Sequence, residues 1–248
     1  MDILVCISHV PDTTSKINFV ENDTQFDTSG VQFIINPNDE FGLTRAIWFK
    51  EKGGAQVHVI HVGTATADPT LRKCLEIGAD KAFRIDNPAI DGMSVAKELA
   101  AFITDNSYDL IIAGRESIDY NGAMVPGMLA ALLDIAFVPN CIGLKVDGNN
   151  AVAEREIDGG REKLKGSLPM VIGGQKGLVE ESDLKIPNMR GIMQARQKPF
   201  EVLSPKGSEN TTKDVLFEKP APKAAVKLVP ADDIDQLIEL LHKEANVI

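Results

Sequence analysis

Four short apolar runs, at residues 3–7, 57–62, 82–85 and 110–113, constrain this chain more than any other feature. A strand that is apolar on both faces must be covered on both, as in a parallel sheet flanked by helices. Helical patterns stand between the runs. Asn36-Pro37-Asn38-Asp39 starts one, Phe41, Ala46, Ile47 and Phe49 follow, and Gly53-Gly54 stops it. Asp68 reads as a cap with Pro69 at the first helical position, and Gly78 ends that helix. Asp91 opens a third, which runs to about Asn106 with Val95, Leu99 and Phe102 on one face, and Met124 to Leu133 reads as a fourth. Strand and helix in alternation make repeated βαβ units, so the first 140 or so residues are expected to form a Rossmann-like α/β core with a parallel sheet.

The pattern then changes. Residues 141–146, 151–157 and 163–168 alternate polar and apolar, separated by Asp147-Gly148-Asn149 and Asp158-Gly159-Gly160, so a β-hairpin extension is expected. Residues 169–172 look like a buried strand returning to the core. From about Leu184 to Val229 periodicity fades and prolines recur, whereas Ile234, Leu237, Ile238 and Leu241 fall at helical spacing. An apolar helix on a long arm needs a surface, and docking on a partner is the expectation. Two parts follow: an α/β domain over 1–183 and an arm over 184–248 that ends in a helix.

Composition narrows the function. A net charge of −10 argues against nucleic-acid binding, which needs a concentrated positive field. No apolar run approaches the roughly 18–20 residues of a membrane span, so no membrane insertion is expected. No basic segment precedes an apolar one at the N-terminus, so no secretory leader is expected. Cys6, Cys74 and Cys141 are too far apart for a zinc or disulfide framework and sit among apolar neighbours, which suits core positions in a reducing, cytoplasmic compartment.

No catalytic set emerges. Ser8 and His9 are strand-end neighbours that project to opposite faces, as do His58 and His61. The better signal is the set of loops after the strands, where open α/β sheets bind ligands. The loop from Gly114 to Met124 carries glycine and feeds a helix N-terminus, an arrangement that supplies unpaired N–H groups and a positive dipole end to a phosphate. The dinucleotide glycine fingerprint and the P-loop are both absent from the sequence.

Further motifs carry a resemblance. Glu154-Arg155-Glu156-Ile157-Asp158-Gly159-Gly160-Arg161, with Leu168-Pro169-Met170-Val171-Ile172 after it, resembles the signature of the electron-transfer flavoprotein β subunit. Val10-Pro11-Asp12-Thr13, Asn36-Pro37-Asn38-Asp39-Glu40, Gly78-Ala79-Asp80 and Ser117-Ile118-Asp119 stand in that family's order. The segment from Ile186 to Arg196 is similar to its partner-recognition loop.

The resemblance implies an adenine-nucleotide-hydrolase-like Rossmann core and a heterodimer with an α subunit that holds the redox FAD. It also implies electron shuttling from acyl-CoA and related dehydrogenases to a quinone oxidoreductase, without independent catalysis. The β subunit would hold AMP, or a second FAD in electron-bifurcating members. The residues implied to contact the nucleotide are Cys6, Asn36, Pro37, Asn38, Asp39, Val62 and the loop Gly114, Arg115, Glu116, Ser117, Ile118, Asp119, Gly122, Ala123, Met124 and Val125. Amides near Gly122 to Val125 would take the phosphate, and Asn38 would approach the partner's flavin. Ile186, Pro187, Met189, Ile192 and Met193 are the implied docking residues. Ala123-Met124-Val125-Pro126 departs from the Asn-Gln-Thr-Gly of AMP-type members, while Ala123 and Val125 lean towards the bifurcating type, so AMP and FAD both stay open. A universal-stress-type nucleotide-binding protein is the alternative of another class; it would want a late glycine-rich ATP loop, which this chain lacks.

Overall fold

A computed structural model describes residues 1–89, 91–223 and 225–248. Strands β1 (Asp2–Cys6), β2 (His9–Pro11), β3 (Phe19–Val20), β4 (Gln25–Phe26) and β5 (Phe33–Ile35) precede helix α1 (Pro37–Gly53). Then come β6 (Gln56–Val62), α2 (Asp68–Ile77), β7 (Lys81–Ile85), α3 (Gly92–Asp105), β8 (Leu110–Gly114) and α4 (Val125–Leu133). The chain continues through β9 (Ala136–Asp147), β10 (Asn150–Ile157), β11 (Gly160–Ser167) and β12 (Met170–Gly174). It ends with α5 (Met189–Ala195), β13 (Phe200–Leu203) and α6 (Ile234–Glu239), which a π-helical turn prolongs.

One sheet of nine strands organises the molecule, in the order β11-β10-β9-β12-β8-β1-β6-β7-β13. The pairs from β12 to β13 are parallel, and β9, β10 and β11 form the antiparallel extension. β9 joins the two halves: Ala136 to Val138 pair parallel with β12, and Leu144 to Asp147 pair antiparallel with β10. Apolar strands are buried on both faces for the reason anticipated. Ile3 and Val5 face α1 and α2, with Leu43, Leu71 and Leu75; Leu4 and Cys6 face α3 and α4, with Leu99, Phe102 and Leu129. Each such side chain contributes about 1.5–3 kcal/mol relative to exposure.

Local chemistry sets the helix ends. Asp91 caps α3, its carboxylate accepting from the Ser94 N–H at 2.7 Å. Gly54, at φ 69°, closes α1 in the left-handed conformation. The expected cap at Asp68 is corrected: the helix begins at Asp68 itself, and its carboxylate makes no cap bond. It lies 2.6 Å from the Nε of Arg84, which is buried and is also paired with Asp86. A buried guanidinium left unpaired costs more than an unmade cap, so it takes the carboxylate.

The stretch from 184 to 229 differs most from its sequence reading. It contains α5, which packs on α2, and β13, which extends the main sheet beside β7. The α5–α2 approach is close: a Cβ at Gly191 would stand 2.2 Å from the Glu76 carbonyl oxygen. Ala195 and Phe200 join the core of the α1/α2 face. Beyond Leu203 the described residues carry no helix or strand up to α6, whose Ile234, Leu237 and Ile238 stay exposed.

The α1 face also has little slack. A Cβ added at Gly42 would lie 2.6 Å from the Cγ2 of Ile112 in β8. Gly42→Ala is therefore expected to lower unfolding free energy by about 1–3 kcal/mol, read as a reduced urea midpoint.

Candidate functional site

A cavity of about 390 Å³ opens at the carboxyl ends of β1, β6 and β8, in the size range of small-molecule sites. Its floor is apolar, from Cys6, Ile60, Val62, Val95, Leu99 and Ala113. Its rim carries the loop after β8: Gly114, Glu116, Ser117, Asp119, Gly122, Ala123, Met124 and Val125.

The first turn of α1 builds this site from below. Asp39 is buried and bridges two strand ends, one carboxylate oxygen accepting from the Ser8 N–H and the other from the Gly114 N–H, both at 2.7 Å. Burial pushes its carboxyl up to about 7, against the hydrogen bonds that favour the charged form. Asn36 is also buried: its Nδ2 donates to the Glu116 carbonyl at 2.9 Å and its Oδ1 accepts from the Ile118 N–H at 3.2 Å. Asn38 donates to the same Glu116 carbonyl at 3.0 Å. These contacts leave no room at Gly114, where a Cβ would meet Asp39 at 2.3 Å and Asn38 at 2.8 Å.

Eleven of the sixteen residues implied for the nucleotide therefore line one cavity: Cys6, Asp39, Val62, Gly114, Glu116, Ser117, Asp119, Gly122, Ala123, Met124 and Val125. The other five lie outside its lining. Asn36 and Asn38 hold the loop from behind, and Pro37 is the first residue of α1. Arg115 turns away to the Glu116 carboxylate (2.7 Å) and to Gln175 (3.1 Å), and Ile118 faces a second cavity.

That second cavity, about 680 Å³, is lined by Phe19, Phe26, Phe33, Ile118, Tyr120 and Phe217 among others. It shares Asp119, Tyr120 and Asp214 with the first.

No lysine or arginine lines the first cavity among the described residues. Its two imidazoles are neutral at pH 7. His61 is buried and lowered to about 4, with its Nδ1 bonded to the Ile7 carbonyl at 2.8 Å. His9 is lowered chiefly by burial, stacks on Phe33 at 4.5 Å between ring centroids and bonds Thr70. His58 projects from β6 to the other side from His61, is bonded to Tyr108 and does not line the cavity. An anion here would rely on peptide N–H groups and the α4 dipole. Asn121 and Ala123 hold φ near +50°, which turns the chain into α4, and no described residue accepts from the N–H of Gly122, Ala123 or Met124. An apolar floor with free amides at one end fits an adenine nucleotide.

All three cysteines are buried and unpaired. Burial raises the thiol of Cys6, on the cavity floor, and pushes that of Cys141 up to about 11, so neither is a thiolate at neutral pH. Of the implied docking residues, Ile186, Met189 and Met193 are strongly exposed, while Pro187 and Ile192 are half-buried.

Sequence reasoning missed several lining residues: His61, Asp91, Gly92, Val95, Thr212 and Asp214. Asp91 carried a signal, as a helix cap beside the sheet's ligand end. Thr212 and Asp214 carried none, because tertiary folding alone brings the arm to the mouth.

A Rossmann-like sheet with a nucleotide-sized cavity at its carboxyl edge defines the class, and comparison with known proteins gives the family. The electron transfer flavoprotein domain matches residues 23–207. The electron transfer flavoprotein subunit beta of Bacillus subtilis (strain 168) is 34% identical, with all of both chains covered. The mitochondrial subunit beta of Arabidopsis thaliana is 31% identical, again with both chains fully covered. Subunit CarD of the caffeyl-CoA reductase-Etf complex of Acetobacterium woodii is 32% identical over 82% of this chain and 78% of its own. The chain belongs to the electron transfer flavoprotein family, on its beta-subunit branch, and serves electron transport as a flavoprotein subunit. No described helix is long and apolar enough to cross a membrane.

A carboxyl raised to about 7 from its ordinary 3.8 favours the fold below pH 4, and that contribution is lost as pH rises through 7. Asp39→Asn turns an amide N–H against a peptide N–H and should cost about 1–3 kcal/mol. The gap between variant and wild type should be wider at pH 4.5 than at pH 7.5 in urea unfolding.

Proposed function

We propose that this chain is the nucleotide-holding half of a heterodimer, with an α subunit that carries the redox FAD. In this reading the pair takes electrons from acyl-CoA-type dehydrogenases and delivers them to a quinone oxidoreductase or a similar acceptor. The bound flavin supplies the electron chemistry. The chain's own residues hold a structural AMP, with the base on the floor of Val62, Val95 and Leu99 and the phosphate at the amides of Gly122 to Val125. The observation that carries this reading is a mononucleotide-sized cavity that offers amide donors at the start of α4.

The arm divides the docking work. Residues 1–183 make the main body of the nucleotide-binding domain, to which the arm adds β13 and the cavity walls Thr212 and Asp214. From 184 onward, Ile186, just before α5, and Met189 and Met193 on it offer exposed apolar side chains beside a helix seated against the core, which suits a dehydrogenase or other redox partner. Residues 220–248, ending in the uncovered face of α6, suit the α subunit.

A second reading places an FAD in this subunit. The aromatic-lined cavity next to the first favours it, since a dinucleotide could extend from one into the other past Tyr120.

Nucleotide released by denaturing the purified complex and separated by HPLC decides between them. One AMP and one FAD per heterodimer is expected, and two FAD would favour the second reading. Deleting 220–248 should abolish assembly with the α subunit in size-exclusion chromatography while leaving the thermal midpoint of the remaining chain within a few degrees. Deleting from 184 should lower that midpoint markedly, because β13 and α5 go with it.

A further inference from the structure

After β13 the chain runs to the first cavity, where Thr212 and Asp214 join the lining, and two carboxylates of the α3 region hold it there. Glu98 points inward from α3 and is fully buried. It accepts from the N–H groups of Lys206 (2.8 Å) and Ser208 (2.9 Å), the hydroxyl of Ser208 (2.8 Å) and the amide of Asn87 (3.1 Å). Asp91, which caps α3 and lines the cavity, accepts from the N–H groups of Thr211 and Thr212 and from the Thr211 hydroxyl at 3.0 Å. Beyond this, the Tyr120 hydroxyl donates to Asp214 at 3.2 Å, and Phe217 stacks on Phe19 at 4.8 Å. Thr212 and Asp214 are themselves walls of the cavity.

A buried carboxylate is costly unless its oxygens are occupied. Those of Glu98 are occupied mainly by peptide groups from more than a hundred residues away. Burial opposes its charge, yet these hydrogen bonds outweigh that and hold its pKa below the ordinary value. Lifting the segment would expose the cavity and strand the carboxylate at once, so the segment has a strongly preferred seated position.

We propose that residues 206–214 form a strap that governs escape of the bound nucleotide, with Glu98 and Asp91 as the positioning residues that keep it shut. The inference rests on the nucleotide reading of the cavity and goes beyond it. The nucleotide would then be a sealed-in component with slow exchange.

The test uses the full chain assembled with its α subunit and loaded with radiolabelled AMP, release being followed after a chase of unlabelled AMP. Glu98→Gln turns an amide N–H against the strap's donors and should speed release about tenfold or more. A second variant carries Ser94→Cys and Ser208→Cys, at positions whose hydroxyl oxygens lie 3.3 Å apart. Oxidised, it should release AMP more slowly than the same protein reduced. If Glu98→Gln fails to assemble, the cysteine pair decides alone. Release that is unchanged by Glu98→Gln and by cross-linking overturns the strap while leaving the nucleotide reading intact. Wild-type chains freed of nucleotide by denaturation and refolded with the α subunit in labelled AMP are expected to retain it; if they retain none, the AMP reading is overturned, and the strap as a gate for AMP falls with it.

Discussion

The Asp39 carboxylate ties the site to the fold. β1 and β8 are adjacent parallel strands, so their terminal N–H groups, on Ser8 and Gly114, emerge side by side with no strand partner. A carboxylate in the first turn of α1 answers both. The N-terminal end of a helix dipole is a favourable place for such a charge. Asn36 and Asn38 extend the same arrangement to the loop after β8, so one helix start fixes the cavity's lower wall. The Asn-Pro-Asn-Asp segment is thus a frame for the site, and Asn38 is engaged with the Glu116 carbonyl.

Electrostatics within the cavity point the same way. The chain is acidic overall, the cavity holds Asp39, Asp91, Glu116, Asp119 and Asp214, and its histidines are neutral. The net field repels an anion, so a phosphate could be held here only by directed N–H groups. Directed peptide dipoles act at short range and select by geometry. The two left-handed residues, Asn121 and Ala123, are the local cost of aiming those dipoles.

Much of the fold was legible because the central strands are covered on both faces. Ile3, Leu4, Val5 and Leu110 to Ile112 announce themselves as unbroken apolar runs. The short pairs β2–β5 and β3–β4 were not legible, since two or three residues carry no periodicity. β13 was hidden for another reason: Glu201 and Val202 are exposed on an edge strand, so half its pattern is missing. Asp68 misled because its local role as a cap lost to a distant buried arginine. The loop from Gly114 to Val125 was readable from its glycines and its position after a strand. Glu98 was not, because nothing local distinguishes an inward glutamate from the solvated ones beside it.

Long-range closure also sets an order on how the molecule comes into being. Chains emerge from the ribosome N-terminus first, and early segments fold as their partners appear. β1, β6, β7 and β8 can pair once residue 114 is out. The last wall of the cavity arrives a hundred residues later, with Thr212 and Asp214. Until then Glu98 lacks the peptide groups that satisfy it, and the cavity lacks two of its walls. The cavity is thus among the parts of the molecule completed last, although most of its lining is made first.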